Sequence, residues 1–178
     1  MVLCVPRAGE GRGATFTVIL PLAAVRKAVQ DGEEGPRPIA DATLDSVPTL
    51  AGVRVLVVDD QAGARDALSA VLEQCGARVL VAASSMEALQ ALATFRPDVL
   101  VSDVAMPGED GYALIRKVRA LASEDGGRIP AAALTAYAGV EDRRRALLAG
   151  YQAHVAKPVA PAELVAVIAH LAEEGRQR

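Results

Sequence analysis

The chain has 178 residues, of which 52% are hydrophobic but only 3% aromatic, with no Trp, so a core has to be built from Ala, Val, Leu and Ile, the residues of buried parallel strands and packed helices. Nineteen basic residues against 22 acidic ones give a formal charge of −3, too balanced for the electrostatic footprint of a nucleic-acid binder. Cys4 and Cys75 lie far apart and outside any CxxC or Cys/His cluster, which argues against a disulfide framework or a zinc site and fits a reducing cytoplasm. No apolar run reaches the roughly 18 residues of a membrane-spanning helix, and the start of the chain has no basic region leading into an apolar stretch and cleavage site. The chain reads as soluble, with one well-cored domain and an appendage.

In chain order, Gly9 to Gly13 form a Gly-rich run, but it precedes the strand-like Ala14 to Leu22 and not a helix, which makes it a poor phosphate loop. Residues 23–52 change character: Gln30 to Pro38 is polar, acidic and rich in Gly and Pro, and reads as a flexible linker. From Val53 onward, Val-rich apolar runs alternate with amphipathic stretches, the pattern of repeated βα units. The first strand, Val53 to Val58, stops at Asp59-Asp60. The helix after it has a stripe of Ala64, Leu68, Val71, Leu72 and Cys75, and Gly76 ends it. A strand over Arg78 to Ala82 follows, then a helix capped by Ser84 or Ser85, with Met86, Leu89, Leu92 and Phe95 on its inner face and Pro97 as its stop. The third strand, Val99 to Val101, ends at Asp103. The loop Met106 to Gly111 leads to a helix facing inward with Leu114, Ile115, Val118 and Leu121, and Gly126-Gly127 makes the next turn. A strand from Ile129 to Leu134 ends at Thr135. The fourth helix has Glu141-Asp142 early and Arg143-Arg144-Arg145 after, an order that suits the helix dipole and makes a solvated face, and Gly150 closes it. The fifth strand, Ala153 to Ala156, ends at Lys157-Pro158, and the last helix runs from Pro161 with Leu164, Val167, Ile168 and Leu171 inward and His170 at the surface. Five strands alternate with five helices, the pattern of an α/β fold with a doubly wound parallel sheet and helices on both faces.

The polar residues fall where such a sheet binds ligands. Asp59 and Asp60 end the first strand, Asp103 the third, Thr135 the fourth and Lys157 the fifth, so all five gather at the carboxyl edge. Three carboxylates within roughly 5 Å repel by about 3 kcal/mol per pair at an effective dielectric near 20, so positive charge has to sit among them. Hard oxygen ligands of this kind suit Mg²⁺, which keeps coordination sites for phosphate oxygens. Lys157 brings a point charge on a long stem, and the Thr135 hydroxyl can hydrogen-bond a phosphoryl oxygen. The set is equipped for phosphoryl transfer to a carboxylate.

Val55 to Asp60, Ser102 to Tyr112, Ala133 to Ala136 and Lys157-Pro158 together resemble the successive motifs of the response-regulator receiver family of two-component systems, over residues 53 to about 173. The resemblance implies a flavodoxin-like sheet of order 2-1-3-4-5. It implies that Asp103 is the phosphoacceptor for a phosphohistidine on a partner, and that Asp60, Asp103 and the backbone carbonyl of Ala105 hold Mg²⁺, with Asp59 joining through water. Thr135 and Lys157 resemble the pair that reads the phosphoryl group. The family often has Tyr or Phe three residues before the Lys, as a side chain that reorients with Thr; here that position is His154, so an imidazole stands where the aromatic switch usually is. The Lys157-Pro158 bond is a candidate for the cis form. Ala105 and Ala136, small beside the phosphoryl site, suggest an accessible phosphoaspartate and quick hydrolysis.

The segment Gly9 to Leu22 resembles the end of a histidine-kinase ATP-binding domain, with the remainder of that domain absent, so the chain is expected to be no enzyme by itself. Kinase tail (1–22), linker (23–52) and receiver (53–175) in that order suggest the C-terminal part of a hybrid histidine kinase. With the last helix ending near Arg178, no DNA-binding domain is expected. The implied partners are a histidine kinase or a histidine phosphotransfer protein, with a homodimer also open. Two other readings stand beside this one. A receiver-like docking module would never be phosphorylated, and a magnesium-dependent aspartyl phosphohydrolase would normally carry an Asp-x-Asp motif after its first strand, which Asp59-Asp60-Gln61 does not supply.

Overall fold

The computed structural model describes residues 48–136 and 139–177. The kinase-like tail (1–22) and all but the last residues of the linker lie outside that range. Elements alternate along the chain as β1 (Arg54–Val58), α1 (Ala62–Gln74), β2 (Arg78–Ala82), α2 (Ser85–Phe95), β3 (Val99–Asp103), α3 (Gly111–Arg119), β4 (Ala131–Thr135), α4 (Val140–Ala149), β5 (Ala153–Ala156) and α5 (Pro161–Arg176), with a one-turn 3₁₀ helix at Ser123–Asp125. All neighbouring strands are parallel and the sheet order is β2-β1-β3-β4-β5, as the family resemblance implies.

Parallel strands covered on both faces have to be apolar at nearly every position, and the three inner strands are: β3 and β4 are buried throughout and β1 from Val55 onward. Alternation then sorts their side chains. Val55, Val57, Val99, Val101 and Leu134 face Leu68 and Leu72 of α1 and Leu164, Val165, Ile168 and Leu171 of α5. Leu56, Val58, Leu100, Ala131 and Ala133 face Ala88 and Leu92 of α2, Leu114, Ile115 and Val118 of α3, and Ala146 of α4. Among the described residues no helix is long and apolar enough to cross a membrane.

Some inner faces differ from the expected ones. Met86 is 70% exposed, and the buried positions of α2 are Ser85, Ala88 and Leu92, because small residues let this helix lie close to the sheet. Leu121 falls beyond the end of α3 at Arg119 and is exposed. Val167 is only partly buried, while Val165 is in the core. The fourth strand starts at Ala131 and not Ile129, since Pro130 has no N–H for the ladder and uses only its carbonyl, which accepts from Leu100 N at 2.9 Å. The packed domain also begins before Val53. Leu50 is fully buried, and its N–H donates to the Cys75 carbonyl at 2.8 Å. The Lys157-Pro158 peptide is cis.

The amino edge of the sheet is fastened by a polar clasp. Asp98, just before β3, accepts from the Arg54 backbone N–H at 2.8 Å and from its guanidinium at 2.9 and 3.2 Å, while the same guanidinium donates to the Phe95 carbonyl. Burial pushes the Asp98 carboxyl up, but the Arg54 bonds outweigh it and leave the pKa lowered. A carboxyl lowered in the folded state stabilises it above the ordinary value near 3.8, and that contribution is lost as pH falls through the folded-state pKa. Asp98→Ala is therefore expected to destabilise the domain by about 1 kcal/mol at neutral pH, allowing for solvent screening of a half-exposed pair. Urea melts of the two proteins should converge only once pH falls below the lowered Asp98 pKa, itself under 3.8; a gap that persists there would show that packing, not charge, sets the difference.

Candidate functional site

The strand ends carry the polar residues to one edge. Asp59 follows β1, Asp103 is the last residue of β3, Thr135 the last of β4, and Lys157 follows β5. Asp59, Asp103 and Thr135 are buried, which is unusual for two carboxylates unless they are paired. Their partner is Lys157, whose Nζ lies 2.9 Å from Asp59 Oδ2 and 2.9 Å from Asp103 Oδ2. Burial lowers the affinity of this ammonium for its proton, but the bonds to Asp103 and Asp59 more than reverse that, so its pKa is raised. The remaining oxygens are held by backbone: Asp59 Oδ1 accepts from Gln61 N at 2.9 Å and Asp103 Oδ1 from Ala105 N at 3.1 Å.

Asp60 completes the cluster. Asp59, Asp60 and Asp103 each offer an oxygen within 4.8 Å of the others. One ammonium balances three carboxylates only partly, and Asp60 Oδ1 is buried with no hydrogen-bond partner. A buried carboxylate oxygen without a donor, next to two more carboxylates, fits a hard divalent cation such as Mg²⁺. Sequence reasoning brought Asp59, Asp60, Asp103, Thr135 and Lys157 to this edge, and the fold gathers all five there. His154 is half-buried on β5, in register with Ala133. Ala105 and Ala136 are both exposed beside the cluster.

The surrounding loops are tied down by groups that sequence reasoning did not single out. Arg65, on the first turn of α1, donates from Nη1 to the carbonyls of Asp59 (2.7 Å) and Asp60 (3.0 Å), fixing the peptide that carries both carboxylates. A basic residue one turn into the helix after an Asp-Asp pair was the available signal. Asp110 caps α3 by accepting from Ala113 N at 2.7 Å. Gly111 meets the backbone of β3 so closely that a Cβ there would lie 2.3 Å from the Asp103 carbonyl oxygen, so only glycine fits. Tyr151, between α4 and β5, buries its ring and donates its hydroxyl to the Gly111 carbonyl at 2.7 Å. Of the arginine run on α4, all three residues are exposed, and Arg145 lies over the Tyr112 ring, 4.6 Å from its centre.

The chain is 49% identical over 120 residues to an uncharacterised 14.6 kDa protein of Leptolyngbya boryana, a match that covers 67% of this chain and 90% of that one. It is 40% identical to the response regulator MprA of Mycobacterium ulcerans, over 64% of this chain and 47% of that regulator, so it spans about half the length of such relatives. Among solved structures it is similar to the receiver domain of the sensor histidine kinase PA1611 from Pseudomonas aeruginosa, at 34% identity and a TM-score of 0.62, covering 69% of this chain and 99% of that one; that receiver was solved with magnesium coordinated in its active-site cleft. Residues 55–169 match the response regulator receiver domain family. With the order-2-1-3-4-5 sheet and the acidic cluster at its carboxyl edge, the chain belongs to that family, the non-catalytic signalling domains of two-component systems.

Proposed function

We propose that the chain is a phosphoacceptor: Asp103 takes a phosphoryl group from a phosphohistidine on a histidine kinase or a histidine phosphotransfer protein, and the modified site alters a protein-binding face. The observation that carries this is the placement of Asp103 Oδ2 on the Lys157 ammonium, beside two further carboxylates of which one has an oxygen without a donor. In the transfer, a carboxylate oxygen of Asp103 attacks phosphorus, a P–O bond forms as the P–N bond breaks, and the electron pair returns to the donor imidazole. Lys157 already touches the attacking carboxylate and follows the charge onto a phosphoryl oxygen, while the buried Thr135 hydroxyl offers a second hydrogen bond. Asp60, Asp103 and the Ala105 carbonyl would hold Mg²⁺, with Asp59 joining through water, and the bound ion would neutralise charge on the phosphoryl oxygens. Thr135 and His154 are the residues expected to move with phosphorylation, shifting an equilibrium of α4 and β5.

The tail and linker support a wider reading, in which the chain is part of a hybrid histidine kinase; the similar receiver of a sensor histidine kinase fits it. A free, half-buried Cys75 fits a cytoplasmic setting.

Intact-protein mass after incubation with Mg²⁺ and acetyl phosphate should show one phosphoryl adduct on the native chain and none on Asp103→Asn. No adduct on either would make docking without phosphorylation the better account. In EDTA, Asp60→Ala should raise stability by about 1 to 2 kcal/mol, because it removes a buried carboxylate oxygen that has no donor. Added Mg²⁺ should raise the melting temperature of the native chain and leave that of Asp60→Ala nearly unmoved. Since Ala105 and Ala136 leave the site open, the adduct should disappear well within hours in Mg²⁺, and Ala105→Met should lengthen its life; persistence for many hours on the native chain would count against an open site.

A further inference from the structure

A hydroxyl network behind the phosphoacceptor joins its own peptide to the joint between α4 and β5. Tyr151 Oη donates to the Gly111 carbonyl at 2.7 Å, and Ser102 Oγ lies 2.9 Å from the Asp103 carbonyl oxygen, its single proton shared between that carbonyl and the Tyr151 hydroxyl oxygen. Both side chains are buried, Tyr151 at 2% exposure and Ser102 at 0%. A Cβ at Gly111 would lie 2.3 Å from the Asp103 carbonyl oxygen and 3.0 Å from the Tyr151 hydroxyl, so both hydroxyls act where the start of α3 passes the end of β3, and the Gly111 N–H closes the loop by donating to the Val104 carbonyl at 3.2 Å. Tyr151 is fixed in turn from the other side. Its N–H donates to Ala146 at the end of α4, and the preceding carbonyl of Gly150 accepts from Arg119 Nε at 3.0 Å.

A phenylalanine would fill the same apolar volume, so the ring alone accounts for packing but not for the hydroxyl. Placed among apolar neighbours, that hydroxyl is favourable only with its partners in place. What it adds is orientation: the loop between β3 and α3 holds both the Asp103 carboxylate and the Ala105 carbonyl, and its two ends are pinned through Ser102 and Tyr151. We propose that Tyr151, through Ser102 and the Gly111 carbonyl, is a positioning residue for Asp103 that couples the α4–β5 joint to phosphoryl acceptance. This rests on the reading of Asp103 as the phosphoacceptor.

The test compares the native chain with Tyr151→Phe, Ser102→Ala and the double variant, measuring phosphorylation rate with acetyl phosphate at saturating Mg²⁺, Mg²⁺ affinity by calorimetry, and melting temperature. Loss of one neutral buried hydrogen bond corresponds to about a fivefold effect, and Tyr151→Phe should slow phosphorylation of the folded protein by about that factor and weaken Mg²⁺ binding as well. Ser102→Ala should do the same, and the double variant should be slowed far less than the product of the two, because the hydroxyls act as one unit. A lower melting temperature with unchanged rate and unchanged Mg²⁺ affinity in both single variants would mean a merely structural role and overturn the proposal. So would fully additive effects in the double variant. If Tyr151→Phe does not fold, Ser102→Ala alone decides in the same way. A native chain that takes no phosphoryl group overturns instead the reading of Asp103 on which the proposal rests, and the two failures are told apart by the native control.

Discussion

An ammonium held between two buried carboxylates governs this site. Without Lys157, Asp59 and Asp103 would face each other out of water with only backbone N–H groups for company, and like charges so placed raise the energy of the folded state by several kcal/mol, roughly. The constraint reaches through the topology. With the order β2-β1-β3-β4-β5, Asp59 and Asp103 sit on adjacent strands, while Lys157 follows a strand two places away from β3. Only a long, flexible stem crosses that gap, and the strand it passes ends in the short side chain of Thr135. Lys, Thr and two Asp at these strand ends are therefore one geometric solution, not four separate features.

The pairing is deliberately incomplete in charge. One ammonium and three carboxylates leave the edge negative, and Asp60 keeps an oxygen with nothing to bind. Beyond the bonds that Gln61 N and Ala105 N make to the carboxylates, the loops that carry these groups are held by contacts directed at backbone carbonyls: Arg65 on those of Asp59 and Asp60, Ser102 on that of Asp103, Tyr151 on that of Gly111. The scaffold is thus fixed in part without the carboxylates, and Asp60 Oδ1 is the buried oxygen among them that stays available to a cation. Fixing the frame through backbone contacts is what preorganisation requires of a site that binds charge from solution.

Much of this was legible in the sequence, and the reasons are particular. Three fully covered strands have to be apolar at almost every position, so Val55 to Val58, Val99 to Val101 and Ala131 to Leu134 stand out whatever their surroundings, and an acidic or basic residue at the end of such a run is conspicuous. Strand order came from the family resemblance and not from periodicity. What was hidden depends on distance in three dimensions. Met86 satisfies a helical stripe as well as Ala88 does, and only the closeness of α2 to the sheet selects the smaller residue. Tyr151 reads as an ordinary core aromatic after a glycine, since nothing in its neighbourhood along the chain reveals a carbonyl 40 positions earlier. Arg65 is one arginine among many until its guanidinium is seen on two carbonyls. The end of the linker was hidden for a related reason: Leu50 lies before Ala51-Gly52, short of the Val-rich run that begins at Val53, and its burial depends on a contact with the end of α1.

The clasp between Arg54 and Asp98 acquires a further meaning when set against the opposite edge. Every strand runs from a margin where opposite charges are matched, around Asp98, to one where like charges are crowded, around Asp60. Cooperative opening of a protein starts where the local free energy is least favourable. For this sheet that is the carboxyl margin, so amide protons of the β1–α1 and β3–α3 loops are expected to exchange with solvent through smaller openings than those near Arg54. A cation arriving at the crowded end removes the very repulsion that makes it yield, so occupancy of the site and rigidity of the loops around it rise together.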